Sequence, residues 1–125
     1  MTQLRLDMPL MSKARPRVAR GRAYMPAPYM DWKKEAQAKL ETLWSEHELP
    51  TYDKSTPIKL MVEAHGPGRC DSDNLLGALL DAGLPKKSGW TGCWSDDRVT
   101  VIPWVCFEWV KSSEQFWLLK IDPMI

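Results

Sequence analysis

The chain is short of several things. It has 3 cysteines, 2 histidines and 2 phenylalanines in 125 residues, and its formal charge is only +1. Cys70, Cys93 and Cys106 are odd in number and contain no C-x-x-C pair, so neither a disulfide framework nor a zinc ribbon is indicated. His65 and the three cysteines match no zinc-ligand spacing either. No apolar stretch approaches the ~20 residues of a membrane span, and the N-terminus lacks the apolar segment of a signal peptide. A protein that stays in the cytoplasm, away from membranes, is the expectation. There is no internal repeat and no low-complexity tract. A chain of this length suits one domain, 1–125, built around one core.

What is present is unevenly placed. Residues 1–30 carry Arg5, Lys13, Arg15, Arg17, Arg20 and Arg22 against Asp7 alone, a net +5, which leaves −4 for the remainder. Leu4, Leu6, Met8 and Leu10 alternate as in a half-buried strand. Residues 12–28 follow, rich in Arg with Pro16, Gly21, Pro26 and Pro28, and read as an exposed basic loop. Trp32, Ala36, Leu40, Leu43 and Trp44 recur at helical spacing, predicting a helix from near Pro28 that ends before Pro50. Ile58, Leu60, Val62 and Ala64 form a second strand that stops at Gly66-Pro67-Gly68. Leu75, Leu76, Leu79 and Leu80 predict a helix over 71–82, stopped by Gly83 and Pro85. Residues 83–96 read as a loop, 99–110 as β-rich despite Pro103, and 115–121 as a closing strand. The order βαβαββ predicts an α+β fold with a mixed sheet and two helices.

Chemistry is concentrated in acids. Asp71, Asp73 and Asn74 open the second helix, Asp81 lies eight residues after Asp73, and Asp96 with Asp97 is read as opening the next strand. One aspartate at a helix start is ordinarily an N-cap favoured by the helix dipole. Two acidic pairs on two elements call for more, and hard oxygen donors converging on one point suit Mg²⁺ or Mn²⁺. An EF-hand is excluded by spacing.

The run Asp71-Ser72-Asp73-Asn74-Leu75, then Asp81, then Trp94-Ser95-Asp96-Asp97-Arg98-Val99 resembles the D-x-D-N…D…DD signature of the RusA family of Holliday junction resolvases. Lys13-Ala14-Arg15-Pro16-Arg17, with Gly21, Tyr24 and Pro28-Tyr29, is similar to the basic segment of phage-borne members. The resemblance implies a RusA-like fold and a homodimer that cuts four-way DNA junctions by paired, Mg²⁺-dependent hydrolysis, with Mn²⁺ as substitute, in recombination and repair. Asp71, Asp73 and Asp97 would be the catalytic, metal-binding carboxylates, with Asp96 and Asp81 as further family acids. A bacterial host and a phage or prophage source follow from the same likeness. One position departs: the family commonly has a lysine four residues after the second aspartate of D-x-D, and here that residue is Gly77. Lys86 and Lys87, in the long loop before Asp97, are candidates to replace it.

Lys13, Arg15, Arg17, Arg20 and Arg22 are candidate contacts to DNA phosphates, each releasing counterions. Their bland reading is a solvated loop, which does not explain positive charge beside an acidic site that would otherwise repel DNA. Of the 7 tryptophans, most are expected in the core or a dimer interface. Trp90, flanked by glycines in the loop, is the candidate for stacking on an unpaired base, and Trp94 is read as a buttress for the loop of Asp97. His47 and His65 adjoin no acidic motif and read as structural. Two alternatives stand beside the resolvase reading: a broader fork or flap nuclease using the same carboxylates, and a branched-DNA-binding protein that has lost turnover.

Overall fold

Alternating apolar residues build four strands that share one sheet, and two helices cover one face of it. The computed structural model describes residues 1–124. In chain order the elements are β1 (Thr2–Leu6), β2 (Arg17–Ala19), β3 (Arg22–Tyr24), α1 (Ala27–Glu46), β4 (Ile58–Gly66), α2 (Ser72–Ala82), β5 (Trp104–Lys111) and β6 (Phe116–Pro123). The main sheet has the order β1-β6-β4-β5, with β4 and β5 parallel and the other pairs antiparallel. It is a single-domain α+β arrangement with a mixed sheet and two helices.

The period-2 pattern sorts the faces. Leu4 and Leu6 of β1, Leu60, Val62 and Ala64 of β4, and Trp117, Leu119 and Ile121 of β6 are buried under Trp32, Ala36, Leu40 and Trp44 of α1 and Leu75, Ala78 and Leu79 of α2. The opposite face carries Lys59, Met61, Glu63 and His65 of β4. There His65 stacks on Phe116 and its Nε2 lies 3.2 Å from Glu63 Oε1. His65 is therefore on the far side of the sheet from α2, in keeping with a structural role.

Three expectations need correction. The basic stretch is not irregular throughout: Arg17–Ala19 and Arg22–Tyr24 pair as a two-stranded ribbon. Its turn places Arg20 (φ 53) and Gly21 (φ 75) in the left-handed region, the backbone whose twist fits a two-residue hairpin. The first strand ends at Leu6, because Met8 N–H folds back onto the Leu6 carbonyl and Pro9 cannot extend the ladder, although Met8 stays buried. The strand expected from Val99 starts only at Trp104. The Val101 and Ile102 amides turn back onto the Arg98 carbonyl, so Asp96 and Asp97 lie in a loop and open no strand.

Candidate functional site

β4 ends at Gly66, and its chain passes through Pro67, Gly68, Arg69 and Cys70 to Asp71, the N-cap of α2. The Asp71 backbone is extended, and its carbonyl accepts the Leu75 N–H at 3.0 Å. Its side chain makes no capping hydrogen bond. The bland N-cap explanation therefore accounts for the backbone of Asp71 and leaves its carboxylate unengaged. Asp73, in the first turn, is exposed as well. Among the described residues neither carboxylate has an ion-pair partner within 4.0 Å. Both stand where the helix dipole favours negative charge.

Asp81 is differently placed. It accepts the Tyr29 hydroxyl at 2.5 Å and faces Lys33 Nζ at 3.3 Å, with only 14% of its side chain exposed. These contacts tie α2 to α1. Burial, aided by the neighbouring Asp81 carboxylate, pushes the Tyr29 hydroxyl well above the ordinary tyrosine pKa. Asp81 thus clamps the two helices together, its carboxylate engaged where those of Asp71 and Asp73 are open.

A cationic side chain, that of Lys13, packs on Gly77. Lys13 N–H donates to the Asn74 carbonyl at 2.8 Å. Its side chain crosses Gly77, where an added β-carbon would lie 3.3 Å from Lys13 Cδ. Gly77 leaves the notch that this lysine fills. Lys86 instead points at α1, its Nζ 3.1 Å from Glu41 Oε2 and over the Trp90 ring at 5.8 Å. Trp90 is partly buried against the core, with its carbonyl accepting Lys86 N–H, so it offers less of an open stacking face than the sequence implied. Lys87 is exposed in the same loop. Arg15, Arg17, Arg20 and Arg22 are all exposed on the ribbon and its approach.

Trp94 is buried. It pins the following loop to α2 by donating Nε1–H to the Leu80 carbonyl at 2.9 Å and by packing on Gly83, where no β-carbon would fit. The Cys93 amide also bonds to the Gly83 carbonyl, and burial raises its thiol pKa well above normal. Beyond Trp94 the loop runs along the beginning of β4: Ser95 N–H bonds to the Tyr52 carbonyl, and Ile58 N–H to that of Val101. Asp96 pairs with Arg98 at 3.1 Å and lines a groove with Asp53, Lys54 and Ser55. Asp97 is exposed.

The two acidic pairs consequently attach to opposite ends of β4. Eight residue steps separate Ile58 from Gly66, roughly 26 Å along an extended strand. Among the described residues, no three His, Cys, Asp or Glu side chains lie close enough to hold a metal ion. Within one chain, Asp71 and Asp73 thus stand beyond the end of β4 and Asp97 in the loop beside its start.

Sequence reasoning passed over Trp109 as a site residue. It is 41% exposed, on the helix-bearing face of β5, with Nε1–H donated to the Gly66 carbonyl at 3.1 Å and its ring against Gly68. With Pro67, Lys111, Ser112 and Ser113 it lines a groove of about 650 Å³ beside the loop that leads to Asp71. Its alternation within a strand gave no sign that the helices stop short of it. No family model matches the chain, and no curated protein matches it.

Proposed function

We propose that the chain is a RusA-like, Mg²⁺-dependent endodeoxyribonuclease that cuts branched DNA, with the four-way junction as its characteristic substrate. The observation that carries this reading is the pair Asp71 and Asp73. Two unengaged carboxylates sit at the start of α2, where a parallel strand ends, and the Lys13 side chain of the preceding segment crosses the same helix at Gly77. The ends of parallel strands are where α/β crossovers commonly gather functional groups. Unengaged aspartate oxygens suit Mg²⁺ or Mn²⁺, whereas the buried thiol of Cys93 does not. Asp71 and Asp73 would hold the ion, and Asp97, at the other end of β4, would join them only from a second copy of the chain. When bound, it would lower the pKa of a water and neutralise charge on the phosphodiester.

The chain's own groups divide the remaining work. Arg15, Arg17, Arg20 and Arg22 bind phosphates along the DNA arms and orient the duplex without reading its sequence. Lys13, laid across α2 at Gly77, supplies positive charge close to the carboxylates, where it offsets their repulsion of DNA and stabilises the more negative transition state. Hydrolysis in this manner leaves 5′-phosphate and 3′-hydroxyl ends.

One observation favours a second reading. Since Asp97 stands at the other end of β4 from Asp71, a single chain carries an incomplete ligand set, as in a branched-DNA-binding protein without turnover. Incubating the protein with labelled four-way, forked and linear DNAs in Mg²⁺ separates the alternatives. Symmetric incision of the four-way junction supports the resolvase; equal cutting of forks and flaps points to the broader nuclease; retention without incision points to the binding module.

A further inference from the structure

We propose that the ribbon of β2 and β3 enters the major groove of a DNA arm, laying Val18 and Ala23 against the base edges and raising Arg17 and Arg22 to the phosphates on its walls. This seating rests on the DNA-cutting reading above and extends it from which residues meet phosphate to how a duplex is held.

The ribbon has the form of an element whose partner lies outside the chain. All six residues of its strands are exposed. A two-stranded hairpin without burial is marginal in water. Its shape is nevertheless set locally. Arg20 and Gly21, both at positive φ, make the two-residue turn, and Ala14 and Met25, just outside the strands, pack against the core and root it. Val18 is 75% exposed. An apolar, β-branched side chain there becomes buried only under whatever covers the ribbon.

Register gives the ribbon two unlike faces. Arg17 pairs with Tyr24, Val18 with Ala23, and Ala19 with Arg22. Paired residues share a face, and successive residues alternate between faces. One face therefore carries Arg17, Arg22 and Tyr24 around the small Ala19, and the other carries Val18 and Ala23 alone. Arg17 and Arg22 are diagonal neighbours on different strands, so their long side chains leave by opposite edges of the ribbon.

Charge makes the covering partner a nucleic acid: between Asp7 and Asp31 the chain has five cationic residues and no acid. Shape makes it the major groove of B-form DNA. That groove is about 12 Å wide and admits a two-stranded ribbon, whereas the minor groove is only about 6 Å wide. A-form RNA has a major groove too deep and narrow to enter. With the Val18 face inward, short apolar groups meet the floor, where thymine methyls stand, and the guanidiniums turn to phosphates along both rims. The reverse orientation leaves Val18 in water.

The test is dimethyl sulfate footprinting of a four-way DNA junction, kept uncut by omitting divalent metal. The reagent methylates guanine N7 in the major groove and adenine N3 in the minor groove. Wild type is expected to protect guanine N7 over consecutive base pairs of an arm and to leave adenine N3 of those pairs open. Val18→Trp alters no charge, and it replaces an exposed side chain. It should keep its circular dichroism and thermal melt, lose the N7 protection and bind the junction about tenfold more weakly, because the ring does not fit between ribbon and floor. An all-RNA junction of the same sequence should bind at least about tenfold more weakly than the DNA and be indifferent to Val18→Trp. Protection of adenine N3 instead of guanine N7, binding with neither protected, N7 protection that survives Val18→Trp, or equal affinity for the RNA overturns the groove assignment while leaving the nuclease reading in place. A wild type that binds no DNA, with or without Mg²⁺, overturns the nuclease reading itself.

Discussion

The side chain of Lys13 lies across α2 at Gly77, with only 3.3 Å between Lys13 Cδ and the point where a β-carbon of residue 77 would stand. A cation reaches the acidic helix from the basic N-terminal segment because that helix position is a glycine. The Lys13 backbone is fixed against the helix by its bond to the Asn74 carbonyl.

Lys13→Ala should lower the single-turnover cleavage rate about 10- to 100-fold, with a much smaller change in junction affinity, as for a group acting mainly in the transition state. Adding Gly77→Lys in that background should restore much of the rate, since the notch is then empty. It should also raise helix stability by something under ~1 kcal/mol, because glycine is poor inside helices. Rapid-quench kinetics and thermal melts check both. An unchanged rate in Lys13→Ala would contradict the role assigned to it.

The basic ribbon should behave differently. Arg15→Ala with Arg17→Ala should weaken junction binding and reduce the slope of log K against log salt by about 0.9 for each phosphate that is no longer neutralised. Incision by the bound fraction should be little altered. Titrations at several salt concentrations measure the slope, and an unaltered slope would mean that these arginines do not touch DNA.

Tyr29→Phe removes the hydroxyl that donates to Asp81 and should cost about 1–3 kcal/mol, since the bond is to a charged acceptor. The raised pKa also fixes the sign of an alkaline effect. The folded protein holds the Tyr29 proton to higher pH than the unfolded chain does. Its contribution to stability is thus complete below the ordinary tyrosine pKa of about 10 and declines as pH rises above it. Urea unfolding at pH 8 and pH 11 should show a steeper loss for wild type than for Tyr29→Phe.

The two adjacent aspartates of the loop should separate cleanly. Asp96 is already paired with Arg98 on an exposed surface, so Asp96→Asn should change cleavage less than tenfold, whereas Asp97→Asn should abolish it. Parallel assays of the two variants decide the matter, and equal effects would contradict the distinction.

Much of the fold could be read from side-chain spacing. Leu4 and Leu6, Ile58 to Ala64 and Trp117 to Ile121 alternate because one sheet face is buried and the other is not. Trp32 to Trp44 repeat at helical spacing because one stripe of α1 meets that sheet. The ribbon was hidden because Arg17–Ala19 and Arg22–Tyr24 bury nothing, so no periodicity marks them. The site was legible in its residue types but not in its geometry. Nothing in the spacing of Asp71 and Asp97 says that a crossover helix carries the chain back along β4 before Asp97 appears, and that connection is what parts them. Asp81 looked like its neighbours in sequence and differs only because Tyr29 and Lys33, about fifty residues earlier, face it.

The proposed role of Asp73 as a catalytic ligand in a junction-cutting enzyme is tested most directly by comparing wild type with Asp73→Asn on one four-way junction, scoring incision and retention together in Mg²⁺. Paired incision by wild type and none by the variant is the expected result, with junction affinity equal or higher in the variant because a charge that repels phosphate is gone. Incision by Asp73→Asn at the wild-type rate would contradict it.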